Sequence, residues 1–177
     1  CKFALENPES GATPQLLVGK IIKAVFSSSS FVVFGDEESV FGTNTTSKKS
    51  ADVWIKKDNE VVFLFEITLK KIDFKRLDDC IGTLFTQGIS GLPSTFICRP
   101  PEDSSSIQEV GLVRNSLLYK NKRFEFVDFS AFVTSCCALL TDEQIKQLTL
   151  EIRKFVMAVT TLIKTKDSWN ELFNLKS

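Results

Sequence analysis

ADVWIKKDNEVVFLFEITLKK, residues 51–71, is the stretch whose reading decides the fold. It reads as two neighbouring strands, Asp52 to Lys56 and Val61 to Leu69, joined by a polar hairpin over Lys57 to Glu60. Asp52 opens the first strand, while Glu66, Thr68 and Lys70 come at the end of the second. Side chains alternate between the faces of a strand, so Glu66, Thr68 and Lys70 are expected on one face. Val62 and Leu64 make the first half of that strand apolar enough to be buried on both sides. A carboxylate and an ammonium on one face of such a strand point to chemistry. Asp52 and Glu66 are candidate ligands of a divalent cation, and Lys70 a candidate ammonium for work on a phosphodiester. The plainer alternatives are a strand-end aspartate facing solvent and a Glu66–Lys70 ion pair at a sheet edge.

Upstream, Thr13-Pro14-Gln15 makes a helix start, with Thr13 as N-cap and Pro14 at the first helical position. Leu16, Leu17, Ile21, Val25 and Phe26 follow at helical spacing, up to the serine run Ser27 to Ser30. Residues 4–12 read as turn, and Phe31 to Phe34 as a short strand closed by Gly35. Asp36 to Ser50, rich in hydroxyl residues, is either a DNA-facing loop or a solvated connection. Downstream, Leu77, Cys80, Ile81, Leu84 and Phe85 place one helical face over Asp73 to Thr86. A strand follows at Ser94 to Cys98, helix signals at Ile107 to Leu118, and a last strand at Arg123 to Phe129. Thr141 with Gln144 forms a capping box before a long helix striped from Ile145 to Ile163. Asp167 or Ser168 caps a short final helix carrying Trp169, Leu172 and Phe173.

This order predicts one α/β domain with a mixed central sheet flanked by helices, its core at about residues 7–129 and a helical C-terminal part at about 130–177. Neither G-x-G-x-x-G nor G-x-x-x-x-G-K occurs, so no nucleotide cofactor is expected.

Composition narrows the chemistry. The 177 residues carry 22 basic and 22 acidic side chains, a balance that argues against non-specific coating of nucleic acid. There is no histidine, which removes Ser-His-Asp and Cys-His catalysis and histidine-bound zinc. Hydrolysis is left to carboxylates with a hard cation, or to lysine. The five cysteines form no C-x-x-C pair and read as reduced thiols of a cytoplasmic protein. No run is long and apolar enough to span a membrane, and no signal-peptide pattern is present. A chain that opens on Cys1, with Met157 its one methionine, reads as a trimmed chain or the later part of a longer protein.

Asp52, thirteen intervening residues and then Glu66-Ile67-Thr68-Leu69-Lys70 resemble the motif of the PD-(D/E)xK nuclease superfamily. The element order agrees: a helix, a meander ending on the metal-binding strands, a crossover helix, then another strand. NPESGATPQ before the first helix and FEITLKKIDFKRLDDC look like type II restriction endonucleases, so the likeness runs from about Asn7 to Phe129. The resemblance implies a restriction-endonuclease-like core and a Mg²⁺-dependent cut of double-stranded DNA, with Mn²⁺ able to substitute, by a homodimer. Asp52 takes the place of the first acid and Glu66 of the second, with the Ile67 carbonyl completing the protein's share of the metal shell. The family places lysine two residues after the second acid; that position here is Thr68, and Lys70 lies two further along, about 7 Å away by strand rise. Either Lys70 returns its ammonium to the site or the lysine is lost, which would make the chain a weakened or inactive nuclease.

Glu38, Glu9 and Gln15 are further candidates for the acidic or polar edge of the site. Lys48, Lys49, Lys71, Lys75 and Arg76 are candidates for DNA phosphates, and Lys120 to Arg123 form another basic cluster. Arg99, beside Pro100-Pro101, either reads a base or caps the sheet. Rival readings are a repair or branched-DNA nuclease of the same fold, an inactive DNA-binding or interaction domain, and a plain structural domain.

Overall fold

Asp58 and Asn59 both adopt left-handed conformations, with φ of 51° and 68°. Such a pair matches the right-handed twist of the strands it joins, so it closes a two-residue hairpin. In a computed structural model of the protein, which describes residues 1–27, 29–35, 50–100, 102–108 and 115–173, this hairpin anchors one mixed sheet. The elements in chain order are α1 (Lys2–Glu6), α2 (Ala12–Val25), β1 (Phe31–Phe34), β2 (Val53–Lys57), β3 (Glu60–Ile67), α3 (Phe74–Thr86), β4 (Ser94–Cys98), α4 (Ser105–Gln108), β5 (Ser116–Tyr119), β6 (Lys122–Asp128), α5 (Phe129–Cys137), α6 (Asp142–Val156) and α7 (Ile163–Leu172). The six described strands lie in the order β1-β2-β3-β4-β6-β5. β1, β2 and β3 form an antiparallel meander, β4 runs parallel to β3 and to β6, and β5 pairs antiparallel with β6. This is the α/β class with a mixed sheet that the sequence predicts.

Each face of the sheet has its own core. Trp54, Leu64, Phe96, Phe124 and Phe126 pack with Leu77 and Leu84 of α3 on one face. On the other, Val53, Ile55, Ile67 and Ile97 meet Val18, Ile21 and Ile22 of α2, Phe129 and Val133 of α5, and Leu148 of α6. Among the described residues, no helix is long and apolar enough to cross a membrane.

Several local expectations are corrected. α2 is capped by Gly11, whose φ of 103° few other residues adopt, and Thr13 lies inside the first turn with its buried hydroxyl unpaired. The turn expected over residues 4–12 is overlapped at its start by the short helix α1 and holds a 3-10 turn at Glu9–Gly11. The helix expected over Ile107 to Leu118 is confined, among the described residues, to Ser105–Gln108. Leu117 and Leu118 belong to a second hairpin, because Lys120 and Asn121 take φ of 48° and 61° and turn β5 onto β6. Asp128 then caps α5, which opens the helical C-terminal part and ends the expected strand one residue early, by accepting a hydrogen bond from Ala131 N–H. The Thr141–Gln144 capping box is present, but α6 stops at Val156, and Val159 and Ile163 are 98% and 75% exposed. α7 starts at Ile163 with Leu162 as its N-cap, in place of the shorter helix capped from Asp167 or Ser168.

The end of β3 matters most. The strand stops at Ile67, and Thr68 Oγ1 accepts a hydrogen bond from Lys70 N–H at 3.1 Å. The ladder to β4 ends with Thr68 N–H, and the chain then turns, so strand alternation no longer places Lys70 on the face of Glu66. A clamp holds this turn against β4. Thr68 N–H donates to the Ile97 carbonyl at 3.0 Å, and Arg99 Nη2 donates to the Leu69 carbonyl at 2.7 Å. Arg99 is itself gripped by Asp103, which is 3% exposed and accepts from Arg99 N–H, Nε and Nη2 at 2.8, 3.1 and 2.9 Å. Arg99 thus caps the sheet, the second of the two roles open to it. Asp103→Ala removes two bonds from the half-buried guanidinium and one from the Arg99 backbone N–H and is expected to cost about 2 kcal/mol in urea unfolding, whereas Glu102→Ala, whose carboxylate is largely exposed, is expected to be near neutral.

Candidate active site

Register brings the two acids together. Val53 faces Phe65 and Trp54 faces Leu64 across the β2–β3 pair, so one step further Asp52 faces Glu66. Residues directly opposite in an antiparallel pair carry side chains on the same face. Here that is the face of Trp54 and Leu64, towards α3.

Among the described residues, Ile67, Gln15 and Gly35 each bear on Asp52. Its Oδ2 accepts a hydrogen bond from Ile67 N–H at 2.9 Å, so the carboxylate also straps the end of β3. Gln15 of α2, 6% exposed, donates from Nε2 to the Asp52 carbonyl at 3.3 Å. Gly35, with φ of 89°, presses against the same carbonyl so closely that a Cβ there would collide with it. Gln15, expected at the polar edge of the site, thus reaches the Asp52 backbone. Gly35 was read only as a strand stop; its place after FVVF was the available signal, and the contact it makes depends on the fold.

Glu66 keeps 15% of its side chain exposed and lines a cavity of about 560 Å³ between the sheet and α3, with Ser50, Ala51, Arg76, Asp79, Cys80 and Thr83 among its walls. Burial, and next the Asp52 charge, push the Glu66 carboxyl up to about 8, against a smaller opposing pull from Arg76. Arg76, a candidate for DNA phosphates, places Nη2 3.9 Å from Glu66 Oε2. Cys80 and Cys98 are buried thiols whose desolvation pushes them up to about 11 and about 12, so neither offers a thiolate near neutral pH. All five cysteines are free.

Glu9 hydrogen-bonds through Oε1 to Thr165 Oγ1 of α7, which takes it to the C-terminal helix. Lys70, Lys71 and Lys75 are exposed. Lys120 pairs with Asp78 at 2.6 Å and Arg123 with Glu125 at 2.7 Å. Lys122 is 4% exposed and donates to the carbonyls of Ser90 and Leu92. That basic cluster is thus paired within the fold. Glu38, Lys48 and Lys49 lie outside the described residues.

Among the described residues, no three acidic or thiol groups gather as a metal-binding cluster. Two carboxylates are nevertheless a suitable donor set for magnesium, which commonly takes one or two from the protein and completes its octahedron with water and phosphate oxygens. Glu66 fits that role: it is a hard oxygen donor whose charge is held back by burial and a neighbouring acid, and a divalent ion would relieve both. Compared with models of known protein families, the chain matches none, and it matches no curated protein at a significant level.

The raised Glu66 carboxyl has a testable sign. Between about pH 4.5 and about 8 the unfolded chain has lost this proton while the folded chain keeps it. Its contribution to stability is therefore full below pH 4.5 and is lost as pH rises through 8. Urea midpoints of wild type, compared with Glu66→Gln, are expected to fall across this window, the variant gaining relative stability by pH 8.5 when metal is absent.

Proposed function

We propose that the protein is a metal-dependent endonuclease that hydrolyses phosphodiester bonds of double-stranded DNA, with the chemistry of the PD-(D/E)xK superfamily and the site-specific action of a type II restriction enzyme. The observation that carries this reading is the pairing of Asp52 and Glu66 at the ends of adjacent antiparallel strands, with Glu66 opening onto a cavity. The order α2, β1, β2, β3, α3, β4 supports it, because it matches the element order that the resemblance implies.

Mg²⁺ bound there, or Mn²⁺ in its place, would supply a Lewis acid for the phosphate and a more acidic water at neutral pH. Asp52 and Glu66 would hold the ion through carboxylate oxygens, with the Ile67 carbonyl as a third protein donor. Gln15 and Gly35 fix the Asp52 backbone and so the position of its carboxylate. Glu66, once ionised, accepts hydrogen bonds from water and orients it towards the phosphorus. Exposed Lys71 and Lys75 offer charge to flanking phosphates, which adds affinity without reading sequence. Cutting both strands takes two such sites, and a homodimer provides them.

A second reading is favoured by one observation. Thr68 occupies the lysine position, and its hydroxyl is tied to the Lys70 backbone. An inactive DNA-binding domain on the same fold would tolerate that change.

Incubation with supercoiled plasmid and Mg²⁺ separates the two readings. Wild type is expected to nick and linearise it, and Asp52→Asn and Glu66→Gln each to slow this by about 10³-fold while still binding a DNA duplex. A wild-type protein that binds duplex but leaves plasmid intact with both Mg²⁺ and Mn²⁺ would establish the inactive domain.

A further inference from the structure

We infer that Arg76 is the cation of this site, contacting a non-bridging oxygen of the scissile phosphate in the role that a lysine at position 68 would fill; the inference rests on the nuclease reading above. Arg76 is the third residue of α3, and its backbone N–H donates to the N-cap carboxylate Asp73 at 2.9 Å, which fixes where the side chain starts. The guanidinium carbon lies 5.9 Å from the centroid of the Phe96 ring, and Phe96 is fully buried and faces Glu66 in the β3–β4 register. Helix cap, aromatic face and carboxylate together aim the guanidinium into the cavity that Glu66 lines.

The contact to Glu66, at 3.9 Å, is longer than a charge-assisted hydrogen bond. A guanidinium carries five N–H donors in a planar fork that suits phosphate oxygens, so this loose contact leaves donors for a substrate. The side chain is 34% exposed, enough for a phosphate to reach it. Lys70 has no comparable support: the residue is exposed, beyond the end of β3, with its backbone N–H held by Thr68.

An arginine in this role also constrains the chemistry, because it stays protonated at any working pH and cannot act as a base. In the hydrolysis, the water oxygen forms a bond to phosphorus and a water proton passes to solvent. The bond from phosphorus to the leaving sugar oxygen breaks, and that oxygen keeps the electron pair and takes a proton from solvent. Arg76 moves no proton. It offsets the charge that accumulates on the non-bridging oxygens.

Plasmid cleavage is measured for wild type, Arg76→Ala, Arg76→Lys and Lys70→Ala, with thermal melting of each. Arg76→Ala is expected to lose about 10²–10³-fold, mostly in kcat. Arg76→Lys is expected to fall between it and wild type, and Lys70→Ala to lose less than Arg76→Ala. Methylguanidinium added to Arg76→Ala is expected to restore at least part of the rate, a rescue that a packing role would not give. Cleavage by Arg76→Ala within about threefold of wild type, a larger loss in Lys70→Ala, or a loss in Arg76→Ala that methylguanidinium does not restore would each overturn the assignment while leaving the nuclease reading intact. A wild-type protein that cuts nothing would overturn both.

Discussion

Val53 opposite Phe65 is the constraint from which the site follows. With that pairing in place, Asp52 and Glu66 have no other arrangement than side by side at the strand ends, on the face that α3 covers. The pairing has two causes. A one-residue bulge between Ile55 and Lys56 shifts the register that the Asp58-Asn59 turn alone would give, moving Ile55 onto Phe63 and Val53 onto Phe65, and Val53 and Ile55 are fully buried against α2 on the opposite face. A slip of β2 by one residue would drive those side chains out of their core and turn Asp52 to the face opposite Glu66.

Two acids placed this way oppose each other, and the fold spends stability on keeping them. Burial and the Asp52 charge both disfavour the Glu66 anion, and the Arg76 guanidinium compensates only in part. The structure around them reads as support for that cost. Ile67 N–H steadies the Asp52 carboxylate, Gln15 and Gly35 fix its backbone, and the Arg99–Asp103 clamp holds the turn that follows Glu66. Strained electrostatics held by well-satisfied neighbours are a frequent mark of functional sites.

Much of this was legible in the sequence, for identifiable reasons. The apolar runs VWI and VVFLF, with the polar turn Lys57 to Glu60 between them, placed the hairpin; the bulge between Ile55 and Lys56 that brings Asp52 opposite Glu66 has no signal in the sequence. The apolar stripe Leu77, Cys80, Leu84 placed α3, and Thr141 with Gln144 placed the start of α6. What failed depended on contacts distant in sequence or on turn chemistry. Leu117 and Leu118 suit a helix locally and become a strand only because Lys120-Asn121 folds β5 onto β6. Lys70 reads as one more residue of β3, but the chain turns after Thr68, whose hydroxyl accepts from Lys70 N–H. Glu9 is drawn to Thr165, 156 residues away in the chain. Arg76 looked like one of a run of surface cations, because nothing in FKRLDDC reveals that Phe96 and Glu66 lie beneath its helix.

The central claim is that Asp52 and Glu66 form one divalent-cation site, and metal binding tests it more directly than any activity does. Mn²⁺ titrated into the protein at pH 7 and followed by electron paramagnetic resonance reports the ion itself. The account predicts one bound Mn²⁺ per chain, displaced by Mg²⁺, with affinity that rises between pH 6 and pH 8 as Glu66 gives up its proton and is lost in Glu66→Gln. Binding that is absent in wild type, or unchanged in both Glu66→Gln and Asp52→Asn, would contradict it.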